Sequence, residues 1–375
     1  MRDLPRRIAR GLIHESAVLS ARWTARALSR WPAPAPERAV CDAFAGSGFH
    51  LLRGQEYAPV PGGAECPLAY LARRLEAVPG AEADRAFAEK GFHLVRRRYD
   101  APVPDEADLS GDFQERRSAM PGVAMDDRGA LELLETVFSR YTDEFRAAVP
   151  LERPAGAGPD AFHLINGTFM AVDAHVYYAF IRHGKPRRIV EIGGGNSSVL
   201  AGMACERNRA EDGRAPRLTV VEPYPGEALR NGFPGLSELV AGKVQDAPTS
   251  LFASLAAGDI LFIDSSHVLR SGGDVQHEYL EILPRLAPGV LVHVHDISLP
   301  KPYPRVYFEQ GLYWNEQYLL QAFLAFNSRF EVVWPGNYMI LNYPDRVCAA
   351  FPEYHAMRRE YPQSEPSSFW MRRRP

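Results

Sequence analysis

Two apolar runs in the C-terminal half of the chain each end in a carboxylate and an imidazole. The run from Asp259 to Asp264 is followed by Ser265, Ser266 and His267, and the run from Gly289 to His295 by Asp296. Side chains of these types can do two kinds of chemistry. A histidine beside carboxylates moves protons near neutral pH, and two carboxylates at one corner hold a hard divalent cation such as Mg²⁺, with room for the oxygens of a bound molecule. His267 is therefore the candidate general base, and Asp264, His295 and Asp296 are the candidate metal ligands. Histidine at position 295 softens an oxygen site and makes Mn²⁺, Fe²⁺ or Zn²⁺ competitors of Mg²⁺. Each residue also has a plainer role: Asp264 can cap a turn, His267 can be a hydrogen-bonding loop residue, and His293, on the same strand face as His295, reads as packed core.

These residues need a scaffold that brings strand ends together, and Arg188-Ile-Val-Glu-Ile-Gly-Gly-Gly-Asn-Ser-Ser-Val-Leu200 is its centre. Ile189, Val190 and Ile192 have the branching of a buried strand. Gly193 and Gly195 allow a tight turn, and Ser197 or Ser198 can cap the helix that follows. Strands are expected at 188–192, 218–222, 239–244, 259–264 and 289–295, then at 330–334 and 368–371. Helices are expected over 129–149, 172–182, 275–286 and 314–326, with Pro284 ending the third of these early. The alternation predicts an α/β fold, a doubly wound and mostly parallel sheet covered on both faces.

In such a sheet ligands collect beyond the strand C-termini. The acidic residues fall there: Glu191 beside the glycine loop, Glu222 after the second strand, Asp246 after the third and Asp264 after the fourth. Glu222 is placed to bind both ribose hydroxyls of an adenosine cofactor, and Asp246 to reach its adenine amino group. Gly193, Gly194, Gly195, Asn196 and Ser197 form the rest of the cofactor loop. A dinucleotide loop wants a third glycine where this chain has Ser198, so a pyrophosphate is disfavoured. S-adenosylmethionine has no phosphate to cradle and tolerates the serine.

The segments Glu191-Ile-Gly-Gly-Gly-Asn-Ser-Ser198, Val221-Glu222-Pro, Ile263-Asp264-Ser-Ser-His267 and Val294-His295-Asp296-Ile297 together resemble the successive motifs of class I S-adenosylmethionine-dependent methyltransferases. They are most similar to the bacterial metal-dependent O-methyltransferases of macrolide sugars. Tyr313-Trp-Asn-Glu-Gln-Tyr318 and Ser368-Phe-Trp370 add to the likeness, which covers about residues 160–375. The resemblance implies a seven-stranded methyltransferase sheet with an antiparallel last strand and methyl transfer from S-adenosylmethionine; it does not fix the acceptor, for which a hydroxyl of a sugar or glycosylated small molecule is the leading expectation. It also implies metal ligation at Asp264 and Asp296, with Mg²⁺ or Mn²⁺ expected, and a base at His267. The chain departs from it at His295, where those enzymes carry an acid. Trp314, Glu316 and Tyr318 would wall the acceptor side.

Composition sets the remaining bounds. A formal net charge of −3 over 375 residues argues against nucleic acid as a partner. Four cysteines without metal or redox spacing point to reduced thiols and a cytoplasmic protein, and no run reaches the length of a membrane span. Residues 1–155 read as a mostly helical extension, ahead of the methyltransferase domain at 156–375. Seven arginines precede Trp31, and Ile8, Leu12, Leu19 and Trp23 share a helical face. Such a segment suits peripheral contact with an anionic membrane or an acidic protein, and homo-oligomers are allowed. A short duplication follows, Gly48-Phe-His-Leu-Leu-Arg53 and Gly91-Phe-His-Leu-Val-Arg96. Two other readings stand beside the metal-assisted enzyme: a metal-free O- or N-methyltransferase, and a non-catalytic scaffold of a glycan assembly.

Overall fold

The computed structural model describes residues 101–375 apart from Ala215, together with the strands β1 (Phe49–Arg53) and β2 (Phe92–Arg96). The arginine-rich segment and the proline run after Trp31 lie outside the described residues. The duplicated phrase forms β1 and β2, which pair antiparallel with Phe49 opposite Arg96 and Arg53 opposite Phe92. Thus the repeat within the extension expected to be mostly helical is an antiparallel ribbon. It belongs to a unit comprising Met1–Gly111 and Phe308–Tyr313.

The second unit, Asp112–Tyr307 with Trp314–Pro375, carries the large sheet. Along it run α1 (Ser139–Ala148), α2 (Asp173–Gly184), β3 (Arg188–Ile192), α3 (Asn196–Asp212), β4 (Arg217–Val221), β5 (Leu236–Val240) and β6 (Ile260–Ile263). Then come α4 (Asp274–His277), β7 (Leu291–Val294), α5 (Glu316–Leu324), β8 (Phe330–Pro335), α6 (Gly336–Asn342), α7 (Pro344–Ala350), α8 (Glu353–Glu360) and β9 (Phe369–Arg373). The strand order is β5-β4-β3-β6-β7-β9-β8, with β9 antiparallel to both its neighbours. This is the seven-stranded, mostly parallel α/β sheet with an antiparallel last strand that the sequence predicts.

Alternate residues feed two separate cores. Ile260 and Phe262 of β6 face one core with Ile189, Leu218 and Trp370; Leu261 and Ile263 face the other with Val190, Val292 and Met371. A one-residue slip would exchange the two sets, and each buried aliphatic or phenyl side chain is worth about 1.5–3 kcal/mol, so the register is strongly fixed. The first core also takes in the helical stretch before residue 150. Phe138 meets Phe180 and Trp334 edge-on with ring centroids 5.1 and 5.0 Å apart. Further upstream the Ser118 N–H donates to the Pro300 carbonyl at 2.8 Å and the Gly122 carbonyl accepts the Phe326 N–H at 2.8 Å, and the compact unit begins at Asp112, well ahead of the boundary expected near 155.

Asp259 aligns the strands that bear the chemistry. Its carboxylate accepts the N–H groups of Arg187 and Arg188 at 3.0 and 2.9 Å and that of Ala256 at 2.9 Å. Parallel pairing then sets Ile192 beside Ile263 and Ile263 beside Val294. The chain leaves all three strands at one level, where Asp264 N–H donates to the Ile192 carbonyl at 2.8 Å and His295 N–H to that of Ile263 at 2.9 Å.

Two expected elements sit differently. The third sheet strand is Leu236–Val240, earlier than expected, because Glu222 closes the β4–β5 edge, its N–H donating to the Val240 carbonyl at 3.1 Å and its carbonyl accepting the Gly242 N–H at 3.2 Å, and the strand ends before Val244. The helix expected over 275–286 is α4, a π turn at Glu278–Ile282 and a 3₁₀ turn at Leu283–Arg285, so that Pro284 falls in the closing turn. Among the described residues no helix is long and apolar enough to cross a membrane.

Candidate active site

The glycine loop is built around close approach. Gly193 has φ +82°, and a Cβ there would lie 1.8 Å from the carbonyl oxygen of Asp264. Its N–H donates to the Val221 carbonyl at 2.9 Å, so β3, β4 and β6 meet at this residue. Glu222 accepts the N–H of Gly194 at 3.0 Å through one oxygen and that of Tyr224 at 2.7 Å through the other. The glycines and Glu222 are therefore in direct contact. Nothing lies within 4 Å of a Cβ built on Gly195, which leaves open space over the loop. Asn196 donates to the Thr168 hydroxyl at 2.8 Å, and Asp246, in the turn Val244–Asp246, is exposed.

Glu191 and Ser197 lie beneath this surface, both buried. The Glu191 carboxylate accepts the Tyr177 hydroxyl at 2.7 Å and the hydroxyl of Ser198, which in turn accepts the Gly195 N–H at 3.2 Å. Glu191 thus supports the loop from below instead of facing a ligand, and Ser198 fills the place of the missing third glycine. Burial pushes Glu191 up to about 7, against the pull of Ser198 and Tyr177. The folded chain then holds this proton more tightly than the unfolded chain does. Its contribution to stability falls as pH rises from the ordinary glutamate range to about 7, by roughly 3 kcal/mol in all. Urea titrations of the wild type and Glu191→Gln at pH 5 and 7.5 should show their stability difference changing by roughly 2 kcal/mol, most of that amount. A difference independent of pH would mean that Glu191 is ionised throughout.

At the ends of β6 and β7 the acids and imidazoles converge. Asp264, His267 and Asp296 each place a ligand atom within 4.8 Å of the others. His267 Nε2 is 3.4 Å from Asp264 Oδ1 and 3.4 Å from Asp296 Oδ2. His295 Nδ1 lies 3.4 Å from Asp264 Oδ1 and 3.7 Å from Asp296 Oδ1. Both histidines are buried, while the two aspartate side chains keep 28% and 21% of their exposure, so the carboxylates face the open side. Burial disfavours a charged His267, but Asp264, Glu316 and Asp296 outweigh it and hold the imidazolium well above the usual histidine range. Asp264 gains in return: against the cost of its burial, His295 and His267 keep it far below the usual carboxylate range. His267 and Asp296 have φ of +58° and +54°, in the left-handed region.

Two further acids, Glu316 and Asp173, complete the corner. Glu316, expected on the acceptor wall, is wholly buried and lies behind His267, with Oε2 at 2.9 Å from Nδ1. Asp173 accepts the N–H groups of Ser367 and Ser368 at 2.8 and 3.0 Å and stands 3.6 Å from His295 Nε2. Trp314 does flank the site, its ring centroid 4.5 Å from that of His267 and 4.7 Å from that of Tyr307. His293 is a core residue: it is buried, stacked on Phe262 at 3.9 Å and bonded to the Ser368 hydroxyl at 2.8 Å. A groove of about 870 Å³ between α1, α3 and the 150–162 stretch shares none of the loop or strand-end residues.

Residues 190–297 match the family model of a methyltransferase domain. Over this span the chain is similar to a methyltransferase domain. The matched span begins in β3 and closes just after Asp296, so that the glycine loop, Glu222, Asp264, His267 and His295 all fall within it. An uncharacterized protein of Archaeoglobus fulgidus is 35% identical over 136 residues, which are 36% of this chain and 58% of that protein. The chain thus spans less than two thirds of the length of this relative.

The residues fit the groups that a methyltransferase domain implies. Open space above Gly195, beside a carboxylate braced by Gly194, suits a nucleoside with its ribose on Glu222. For a divalent cation the fitting observation is His295 Nδ1, buried without a hydrogen-bond partner and aimed at Asp264 and Asp296. Two donors about 2.1 Å from one ion at a tetrahedral angle stand about 3.4 Å apart, close to these spacings.

Proposed function

We propose that this chain transfers the methyl group of S-adenosylmethionine to a hydroxyl of a sugar or glycosylated small molecule, with a divalent cation held by Asp264, His295 and Asp296 and with His267 as general base. The convergence of Asp264, His267 and Asp296 beside the Gly193–Glu222 loop carries this reading. S-adenosylmethionine supplies a methyl group on a sulfonium, already a good leaving group, so the chain has to align the acceptor oxygen and remove its proton. Glu222 and the loop hold the nucleoside. His267 Nε2 receives the hydroxyl proton as the new oxygen–carbon bond forms and the electron pair of the old bond returns to sulfur. A bound divalent cation supplies Lewis acidity to the hydroxyl and positive charge beside Asp264 and Asp296. With that charge beside them the two carboxylates would stabilise the imidazolium less, so that His267 would stand neutral, with Nε2 free to take the hydroxyl proton.

Transfer of radiolabelled methyl groups to a panel of methyl glycosides tests the reading. EDTA should abolish turnover, and Mg²⁺ or Mn²⁺ should restore it. A second reading, methyl transfer without metal, is favoured by the placement of His267 Nε2 at 3.4 Å from both carboxylates, where the imidazolium alone balances them. Full activity in chelator would select it, and absence of saturable S-adenosylmethionine binding by calorimetry would sink both.

A further inference from the structure

His267 is gripped from behind by a single short segment of chain. Its carbonyl accepts the N–H groups of Asn315 and Glu316 at 3.0 and 3.1 Å. The Asn315 side chain in turn accepts the Leu269 N–H at 2.6 Å, closing the loop that carries the histidine. The Glu316 carboxylate then meets ring Nδ1 at 2.9 Å, with both side chains buried. A carboxylate has no proton to give when ionised, so this contact requires the hydrogen to sit on Nδ1. The ring's other nitrogen faces the two carboxylates that keep an exposed side.

We infer that Glu316 is the positioning residue of this site: it keeps the Nδ1 hydrogen of His267 and thereby makes Nε2 the nitrogen that takes the acceptor's proton. The inference rests on the proposed role of His267 as base and adds the residue that sets its tautomer and aim. Rotating the ring by half a turn would put carbon Cδ2 where Nδ1 meets Glu316 and lose that hydrogen bond, and Trp314, packed on the ring at 4.5 Å, opposes that motion. When Nε2 gains the proton, positive charge develops on the ring, and a buried negative carboxylate at Nδ1 steadies it as a neutral amide does not. The proton leaves the acceptor hydroxyl for Nε2, and the Nδ1 hydrogen stays in place throughout. Glu316 touches neither acceptor nor cofactor, and acts through the imidazole.

The test uses the full chain labelled with ¹⁵N-histidine, in the presence of S-adenosylhomocysteine. Wild type should show a far-downfield proton on an Nδ1 that is missing in His267→Gln, and Glu316→Gln should lose or strongly shift this signal while still binding S-adenosylhomocysteine. With a methyl glycoside that is turned over, Glu316→Gln should lower kcat roughly 10- to 1000-fold and leave the KM for S-adenosylmethionine within about threefold. An unchanged Nδ1 proton in Glu316→Gln, or a wild-type ring with no hydrogen on Nδ1, would overturn the inference. The wild-type spectrum decides the matter even if the variant does not fold. A normal rate in His267→Gln would remove the base itself, whereas a slow His267→Gln beside a normal Glu316→Gln would remove only the positioning role.

Discussion

Gly193→Ala is expected to abolish saturable binding of S-adenosylhomocysteine and to cost roughly 3–5 kcal/mol of stability. Two independent effects act in the same direction. The backbone at φ +82° is one that a side chain rarely adopts, and the added carbon would sit 1.8 Å from the Asp264 carbonyl, which belongs to the backbone and cannot swing aside. Relief requires β3 and β6 to part at their ends. That displacement would also move the Gly193 N–H from the Val221 carbonyl and the loop from Glu222. Calorimetry with S-adenosylhomocysteine and urea unfolding measure the two effects. Retained binding together with a loss below about 1 kcal/mol would show that the strands do not meet as closely as described.

The second large effect belongs to Asp264→Asn. One oxygen of this carboxylate is 3.4 Å from His267 Nε2 and 3.4 Å from His295 Nδ1, so a single charge serves both imidazoles. The amide keeps the shape but removes the charge and one anionic oxygen donor. Methyl transfer should fall by about 10²- to 10⁴-fold, the range associated with loss of positioned proton transfer. Stability should respond in a pH-dependent way. Because Asp264 titrates well below its ordinary value in the folded chain, it stabilises the fold above the unfolded carboxylate range and loses that contribution as pH falls through its depressed value. Wild type should therefore exceed the variant in stability at pH 6 and approach it in strong acid. Methyl transfer within threefold of wild type would place the chemistry elsewhere on the sheet edge.

The sequence displays those features that depend on a few adjacent residues. The turn after Ile192, the branching of Ile189 and Val190, and the alternation through β6 and β7 are local, and they predict the sheet and the level at which Asp264, His295 and Asp296 emerge. The glycine run likewise announces the close approach at Gly193. What stayed hidden depends on contacts across long separations. Glu316 reaches His267 over 49 residues, and Asp173 reaches Ser367 over 194. No spacing rule connects such pairs, since only the packing of α5 and α2 against the sheet brings them together. Glu191 misled for the opposite reason: next to a glycine loop it reads as a ligand contact, yet strand alternation turns it toward Tyr177 in the core. The edge strand β5 was displaced because Leu239 and Val240 continue an apolar pattern that the turn at Gly242 interrupts.

The two left-handed residues, His267 and Asp296, have a further consequence. A residue with a side chain in that conformation carries strain of order 1–3 kcal/mol, less where asparagine, aspartate or histidine can bond locally. Glycine at either place would relax the main chain and remove an imidazole or a carboxylate from the corner. Thermal tolerance and turnover therefore pull in opposite directions at these positions, and screening variants for heat resistance alone would favour inactive proteins.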